Sequence, residues 1–260
     1  MDYAEAIEPH TRMMKCTLEI EPSRSYWLAC AANGGPITKE QAFEGSVFGS
    51  KTFLRVERLM ADMRHRYDAF PFSLCVLGKW QPMELGDRSV ICHWHTQLAD
   101  PIYRKFTGEY LVERYYGPTG TIDNDLASRW IEIAVPGRWQ IATRNKIASK
   151  MLTSALSAGI ISSNRNPRTI RFPRVSDVAL TYLMYLLREI SYAGTAISNP
   201  YLTSVGIDTD EAIRRLRKIP ELGFRRQGDL TTFDWHHQSM LDWARAAGLL
   251  DVEVSEGSTR

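Results

Sequence analysis

Four residues whose side chains can bind a metal lie close together in the stretch ICHWHTQLADPIYRKF, which runs from Ile91 to Phe106. They are Cys92, His93, His95 and Asp100. Thiolate, imidazole and carboxylate groups are the usual protein ligands of zinc. The stretch therefore raises two alternatives, a metal site that would make the protein an enzyme, or the interior of a helix that contains several ring nitrogens.

The spacing of the neighbouring residues favours the helix interior. Apolar residues recur there at intervals of three and four, which predicts a helix. These residues are Val90, Ile91, Trp94, Leu98 and Ile102. Side chains two positions apart on a helix point roughly 200° apart, so His93 and His95 cannot share one ion. No HExxH or second HxxxH motif completes a site. We expect the two histidines to pack and form local hydrogen bonds, and we expect no metal site.

Other catalytic motifs are also missing from the sequence. It contains no GxSxG, no GxxxxGK[ST] and no GxGxxG after a predicted strand. The paired acids Asp123 and Asp125 are explained more simply as the start of a helix. We therefore expect no catalytic residue, no cofactor and no enzymatic activity.

Most of the chain up to residue 135 is predicted to be helical. In residues 51–70, one face is apolar and the other carries charges of both signs, so we expect that charged face to be solvated. The apolar face consists of Phe53, Val56, Leu59, Met60 and Met63, and the charged face of Arg55, Glu57, Arg58, Asp62 and Arg64. Residues 87–116 form a second helical region, in which Pro101 starts a new helix or kinks one. Residues 122–135 form a third, capped by Asp123.

Beyond Pro136-Gly137 the pattern changes to helices followed by hairpins. Residues 143–161 predict a helix that ends near Gly159, followed by the turn-forming tract SSNRNPR and a strand candidate, TIRFP. Residues 177–233 repeat this order, with three helices and a hairpin around Gly228. Both outlines are typical of a winged helix-turn-helix.

These patterns predict a mainly α fold, with an N-terminal helical bundle followed by winged helix-turn-helix units with short β-hairpin wings. We place a domain boundary at Pro136-Gly137. It separates a helical N-terminal domain (1–135) from a basic winged-helix-like region (136–260), the latter as one unit or as two (138–175 and 176–250). A chain of 260 residues is long enough for two cores.

The composition is that of an ordinary globular protein, with 44% hydrophobic and 24% charged residues. The N-terminus lacks a secretory signal, and the longest apolar run falls short of the roughly 20 residues that span a bilayer. We therefore expect a cytoplasmic protein without membrane contact. The four cysteines are widely spaced, so we expect buried thiols.

The charge is unevenly distributed, although the whole chain carries a net charge of only +2. Between Glu132 and Asp177 there are eight basic residues and no acidic one, and a second cluster from Arg214 to Arg226 is opposed only by Glu221. The rest of the chain is therefore acidic. Two solvated helix faces would explain such clusters, but a surface that binds a polyanion is the favoured interpretation.

The two clusters predict two DNA-binding surfaces. The first consists of Arg138, Arg144, Lys146, Ser149, Lys150, Thr153, Arg165, Arg168, Arg171 and Arg174, and the second of Arg214, Arg217, Lys218, Arg225 and Arg226. Lysines and small hydroxyls on one acid-free helix face suit contact with the phosphates that line a groove. We expect little sequence preference, because most contacts would be to phosphate.

Three segments, 47–70, 87–115 and 137–162, resemble in order and residue type the BrxA family of the BREX bacteriophage-exclusion systems. The resemblance extends from Phe43 to Trp235 and rests on Phe48, Arg55, Arg58, Tyr103, Phe106, Trp139, Thr143, Lys146 and Gly159. It implies a mostly helical, non-enzymatic protein with winged-helix character. Such a protein would bind double-stranded DNA and act beside the other proteins of a defence system.

Two other functions fit the same residues. The basic surfaces of a scaffold protein could dock on acidic partners of the defence system, and a helical bundle could bind RNA, although no pattern of stacking aromatic residues is present. Salt dependence separates DNA binding from docking, because phosphate contacts release counterions. The sequence leaves the oligomeric state and the identity of the partners open.

Overall fold

The computed structural model describes residues 3–250, and these residues form a mainly helical fold, as predicted. The helices in the first part are α1 (Ile20–Asn33), α2 (Lys39–Glu44), α3 (Phe53–Met63), α4 (Pro71–Lys79), α5 (Leu85–Ala99), α6 (Pro101–Lys105), α7 (Leu111–Tyr116) and α8 (Asn124–Ala134). The helices that follow are α9 (Ile141–Ser157), α10 (Asp177–Arg188), α11 (Pro200–Thr203), α12 (Thr209–Leu216) and α13 (Met240–Ala246). Short π-helical turns (Arg64–Asp68, Phe106–Tyr110) and 3-10 turns (Arg12–Met14, Pro220–Leu222) complete them.

The strands are short and form three two-stranded pairs. They are β1 (Tyr3–Ala4), β2 (Thr121–Ile122), β3 (Arg168–Thr169), β4 (Ile190–Ser191), β5 (Phe224–Gln227) and β6 (Leu230–Phe233). Strand β1 pairs with β4 in parallel, whereas β2 with β3 and β5 with β6 are antiparallel. The predicted second hairpin is therefore present, with Gly228 in its turn at a φ of 60°.

The predicted helix starts lie where the capping residues indicate. Pro101 begins α6, and the Asp100 carboxylate accepts hydrogen bonds from the amides of Ile102 and Tyr103, both at 3.0 Å. Asp123 caps α8 through the amide of Leu126. These caps determine where the chain turns between successive helices.

The expectation that the charged face of α3 is solvated is wrong for Asp62. Its carboxylate is buried and lies 2.7 Å from the guanidinium of Arg66, which is also buried. The Arg66 side chain donates to the carbonyls of Thr17 and Leu18, in the segment that precedes α1. This ion pair therefore holds α3 against the N-terminal residues, a distant contact that helical periodicity cannot indicate.

Helix α5 passes through the centre of the molecule, and its residues 90–99 are all buried. The imidazole of His93 lies 3.0 Å from the Tyr103 hydroxyl and 2.9 Å from the Ser204 hydroxyl. The imidazole of His95 bonds to the Arg66 carbonyl and to the Tyr182 hydroxyl, at 2.8 and 2.7 Å. Both histidines thus pack and form hydrogen bonds inside a helix, as expected, but the bonds to Ser204 and Tyr182 join segments distant in sequence and are not local.

The residues before and after the predicted domain boundary share one hydrophobic core. The boundary lies between α8 and α9, which pack closely against each other. Helix α10, with buried residues from Ala179 to Leu187, packs against α5. The two-domain division stays a prediction, and the predicted C-terminal region (136–260) ends outside the described residues.

Three of the four cysteines are buried, as expected, but Cys75 on α4 is exposed. Burial raises the pKa of Cys92 to about 11 and that of Cys16 to about 12. These thiols stay protonated at neutral pH, which fits packing and weak hydrogen bonding. Cys75 lies beside the C-terminal end of α1, where it lines a surface pocket together with Cys30 and Ala31.

The burial of the two histidines predicts a pH-dependent stability. Burial lowers the pKa of His95 from 6.5 to about 4, so the unfolded chain binds a proton first as the pH falls below 6.5. His95 should therefore reduce the free energy of unfolding by about 2 kcal/mol between pH 7 and pH 5. Urea unfolding at the two pH values measures this loss in the wild type and in the His95→Gln variant.

The comparison with the variant is necessary because burial raises the pKa of Asp62 and Asp100, which stabilises the folded state at lower pH. Both proteins contain these acids, so the difference between their pH dependences isolates the histidine. His93→Gln should behave in the same way, since burial lowers the pKa of His93 to about 3. Equal pH dependence in the wild type and both variants would contradict the burial of the two rings.

Candidate nucleic-acid interface

Helix α9 has one apolar face and one basic face, as predicted. The residues buried against the core include Ile147, Ala148, Met151, Leu152 and Ala155. Along the opposite side, Lys146, Ser149, Thr153 and Ser157 are exposed and Lys150 is half-buried. Gly159 follows the helix at a φ of 77°, the left-handed conformation that glycine adopts most readily at a helix end.

A small antiparallel arrangement of backbone follows α9 and connects it to the preceding elements. The amide of Arg171 donates to the carbonyl of Ile160 (2.8 Å), and the amide of Ser162 donates to the carbonyl of Thr169 (2.9 Å). Strand β3 also pairs with β2, which lies just before α8. Residues 168–170 therefore lie between residues 121–122 and residues 160–162. The turn 163–167 projects from this arrangement and carries Arg165.

The contact between α8 and α9 sets the position of the basic face. Ser128 on α8 donates a 2.5 Å hydrogen bond to the side-chain oxygen of Asn145 on α9. Glu132, near the end of α8, forms an ion pair with Arg144 in the first turn of α9. Together with apolar packing, these contacts leave the stripe from Lys146 to Ser157 facing solvent.

Four cations of the first predicted surface are exposed, and their side chains form no ion pair or hydrogen bond within residues 3–250. They are Lys146, Arg165, Arg171 and Arg174. Lys150 is half-buried and likewise has no ionic partner in that part of the chain. These five charges are unpaired within the described residues and can bind a polyanion, and Asp208 and Glu211 line the cleft beside Arg174.

The other three cations of this surface have partners inside the protein. Arg144 pairs with Glu132, and Arg138 donates to the Pro9 carbonyl at 2.7 Å. Arg168 is half-buried, donates to the Asn164 carbonyl at 3.3 Å, and has a pKa that burial lowers. These three arginines stabilise the local structure and contribute less free charge than their number in the sequence indicates.

The second predicted surface is largely neutralised by acidic residues. Arg214 on α12 pairs with Glu211, and Arg215 pairs with Asp177 of α10. On the β5–β6 hairpin, the guanidinium groups of Arg225 and Arg226 lie 3.9 Å from the carboxylates of Asp234 and Asp229, respectively.

Arg217 and Lys218 are the exposed cations of the second surface that lack an ionic partner within the described part of the chain. The segment from residue 208 to residue 234 contains six acidic and six basic residues. A sequence window from 214 to 226 excludes most of these acids, because they lie on either side of it. It also excludes Asp177 on α10. The second surface is therefore balanced in charge, whereas the first has a strong positive excess.

The two surfaces meet where the chain leaves the first hairpin. Residues 172–175 pack against residues 205–208, and a cleft of about 400 Å³ between them is lined by Arg174 and Arg215, among others. The approach is close at Gly206, whose φ is 78° and where an added Cβ would lie 2.4 Å from the Phe172 ring. Glycine is therefore required for this contact.

The described residues contain no group of three or more histidine, cysteine, aspartate and glutamate side chains that could hold a metal ion. The Ser204–His93–Tyr103 hydrogen bonds resemble a nucleophile with its base, but all three side chains are inaccessible to solvent. A substrate cannot reach them without unfolding of the core. No helix within residues 3–250 is long and apolar enough to cross a membrane.

Comparison with known proteins supports the fold only. No family model and no curated protein matches the chain. A crystal structure of an uncharacterized protein from Magnetospirillum magneticum is similar, with a TM-score of 0.54 at 14% sequence identity. The similarity covers 68% of this chain and 92% of that protein. The resemblance to the BrxA family stays a prediction.

The contact at Gly206 gives a test of how the two basic segments are joined. Gly206→Ala should lower the free energy of unfolding by roughly 2–4 kcal/mol, because it combines an unfavourable φ with a clash against Phe172. Urea unfolding measures the effect. Gly228→Ala is the matched control, since Gly228 also has a positive φ (60°) but an added Cβ would meet nothing within 4 Å. Equal losses in the two variants would contradict the close packing.

Proposed function

We propose that the protein binds double-stranded DNA through α9 and the turn 163–167. The observation that carries this proposal is the exposed, acid-free stripe of Lys146, Ser149, Lys150 and Thr153 beside the arginine-bearing turn. A helix with lysines and small hydroxyls can lie in a groove without repulsion from carboxylates.

The order of elements around α9 supports the assignment of a winged helix. In that motif, a helix, a short strand, two further helices and a two-stranded wing follow one another. Here α7, β2, α8, α9, residues 160–162 and β3 occur in this order, and β2 pairs with β3. Helix α9 would be the recognition helix, and residues 163–167 would form the tip of the wing. This unit includes elements on both sides of Pro136-Gly137.

The second unit has a similar order, with α10, β4, α11, α12 and the β5–β6 hairpin. Its strand β4 pairs with β1 at the start of the chain and not with the hairpin. Because its surface is balanced in charge, we assign it a supporting role in DNA binding. The mixture of paired charges on α12 and the exposed Leu230 on the hairpin favour contact with a protein partner.

The biological setting of the proposal comes from the resemblance to the BrxA family. We propose a non-enzymatic accessory protein that acts in a BREX-like phage-defence system beside its other proteins. Binding through phosphates would place such a protein on DNA with little regard to sequence. Its partners would supply the catalytic activities of the system.

The proposal predicts a steep salt dependence of DNA binding. Five free cations on the first surface should contribute about −4 to −5 to the log-log slope for a mixed-sequence duplex. The variant Lys146→Glu/Lys150→Glu/Arg165→Glu should bind about 100-fold more weakly near 0.15 M salt, because three phosphate contacts are lost. Fluorescence anisotropy of a labelled duplex at several salt concentrations measures both quantities, and circular dichroism verifies folding.

A matched variant tests whether the second surface contributes equally. Arg217→Glu/Lys218→Glu/Arg225→Glu makes the same change in net charge, but should weaken binding by less than about threefold, because screening limits distant charges. Similar losses in both triple variants would contradict the assignment of DNA binding to α9. Failure of the folded wild-type protein to bind the duplex at low salt would refute the proposed function.

A further inference from the structure

We infer that the DNA-binding surface extends from α9 onto a second phosphate site, the basic cleft, formed by Arg12, Lys15 and Arg58. This inference rests on the proposed function. The basic cleft has a volume of about 330 Å³ and lies between residues 12–16 and one face of α3. It is outside both clusters that the sequence identifies, because its cations come from segments about forty residues apart.

The basic cleft has an excess of positive charge because its acids are already paired. The Glu57 carboxylate lies 2.6 Å from the Lys39 ammonium group, and the Asp62 carboxylate lies 2.7 Å from the Arg66 guanidinium. Lys15 and Arg58 are exposed and, within residues 3–250, their side chains have no ionic partner. Two cations on opposite walls are therefore free to bind one anionic group.

The backbone around these cations is held in place. Arg55 donates to the Lys15 carbonyl at 3.0 Å and pairs with Glu19 at 2.8 Å. Arg12 donates to the Ala99 carbonyl at 3.1 Å, and its other terminal nitrogen lies 3.2 Å from a ring nitrogen of His65. The distance between the two walls is thus set before any ligand arrives, which reduces the entropic cost of binding.

The basic cleft lies beside the proposed recognition helix. The Ser154 hydroxyl on α9 lies 3.6 Å from the sulfur of Met13, which is adjacent to Arg12 in the chain. Ser154 is buried and lies one helical turn beyond the half-buried Lys150. At the other end of this segment, Arg138 is bonded to the Pro9 carbonyl. Residues 9–13 therefore run alongside α9, from the segment before the helix to its last turns.

A helix inserted into the major groove has a phosphate backbone on each side, about 12 Å apart. The residues that flank such a helix meet those phosphates. The ammonium group of Lys15 suits this contact as a point charge, and the guanidinium of Arg58 suits it as a planar hydrogen-bond donor. Leu54 and Ala61 line the rest of the basic cleft, and their apolar surfaces suit the carbon face of a deoxyribose.

The test uses the full chain and the labelled mixed-sequence duplex. The variant Lys15→Gln/Arg58→Gln should make the log-log salt slope less steep by about 1.8, since two phosphate contacts are lost. The control Lys51→Gln/Lys105→Gln removes two charges that are also exposed but lie outside the basic cleft. It should leave the slope unchanged. All four positions are exposed, so both variants should fold.

The outcomes separate the inference from the proposed function. If the wild-type protein binds DNA and the cleft variant has the same slope as the control, the inference is overturned and the proposed function stands. If the wild-type protein does not bind DNA, both the inference and the proposed function are refuted. Binding of a labelled polyglutamate peptide by the wild type but not by the cleft variant, with equal DNA slopes, would assign the cleft to an acidic protein partner and overturn the inference.

Discussion

Ten consecutive residues of α5 are buried, so each polar side chain among them needs a partner inside the protein. His93 bonds to Tyr103 on α6 and to Ser204 just after α11, and His95 bonds to Tyr182 on α10. The indole of Trp94 donates to the Tyr201 carbonyl. An unmade bond at any of these buried groups would cost roughly 1–3 kcal/mol. This requirement fixes the second unit against the first, and it explains why histidines at metal-like spacing have a structural role.

The N-terminal segment brings distant parts of the fold together in a second way. Glu5 pairs with Arg104, and its carboxylate accepts from the Tyr201 hydroxyl, so one acid joins residues from α6 and α11. Arg104 also donates to the carbonyls of Ala6 and Gln97. Met13 then packs against the buried Ser154 of α9. The position of the proposed interface thus depends on residues far from it in sequence, held by buried ionic contacts that are stable only when every partner is present.

Local sequence patterns predicted the elements but not the charge that each surface presents. The amphipathic stripes of α9, the Asp123 cap and the hairpin at Gly228 depend on residues within one turn of each other, and all are found as expected. The burial of Asp62 and the neutralisation of Arg215 by Asp177 depend on contacts between separate helices. The exposure of Cys75 likewise depends on how α4 packs. Counting charges along the chain therefore overestimated the free charge of both surfaces, and that of the second surface most.

The partners of residues 3–14 have a consequence for how the chain acquires its structure during synthesis. Tyr3 pairs with Ile190, and the amide of Glu5 donates to the Ser191 carbonyl. The sulfur of Met13 lies 3.6 Å from the Ser154 hydroxyl. Residues 3–5 can therefore complete these contacts only after the chain has been synthesised as far as Ser191. Such long loops close slowly because the entropy of the intervening chain is lost before the contacts form. Until the chain has been synthesised as far as Tyr201, the buried cluster of Glu5, Arg104 and Tyr201 is incomplete.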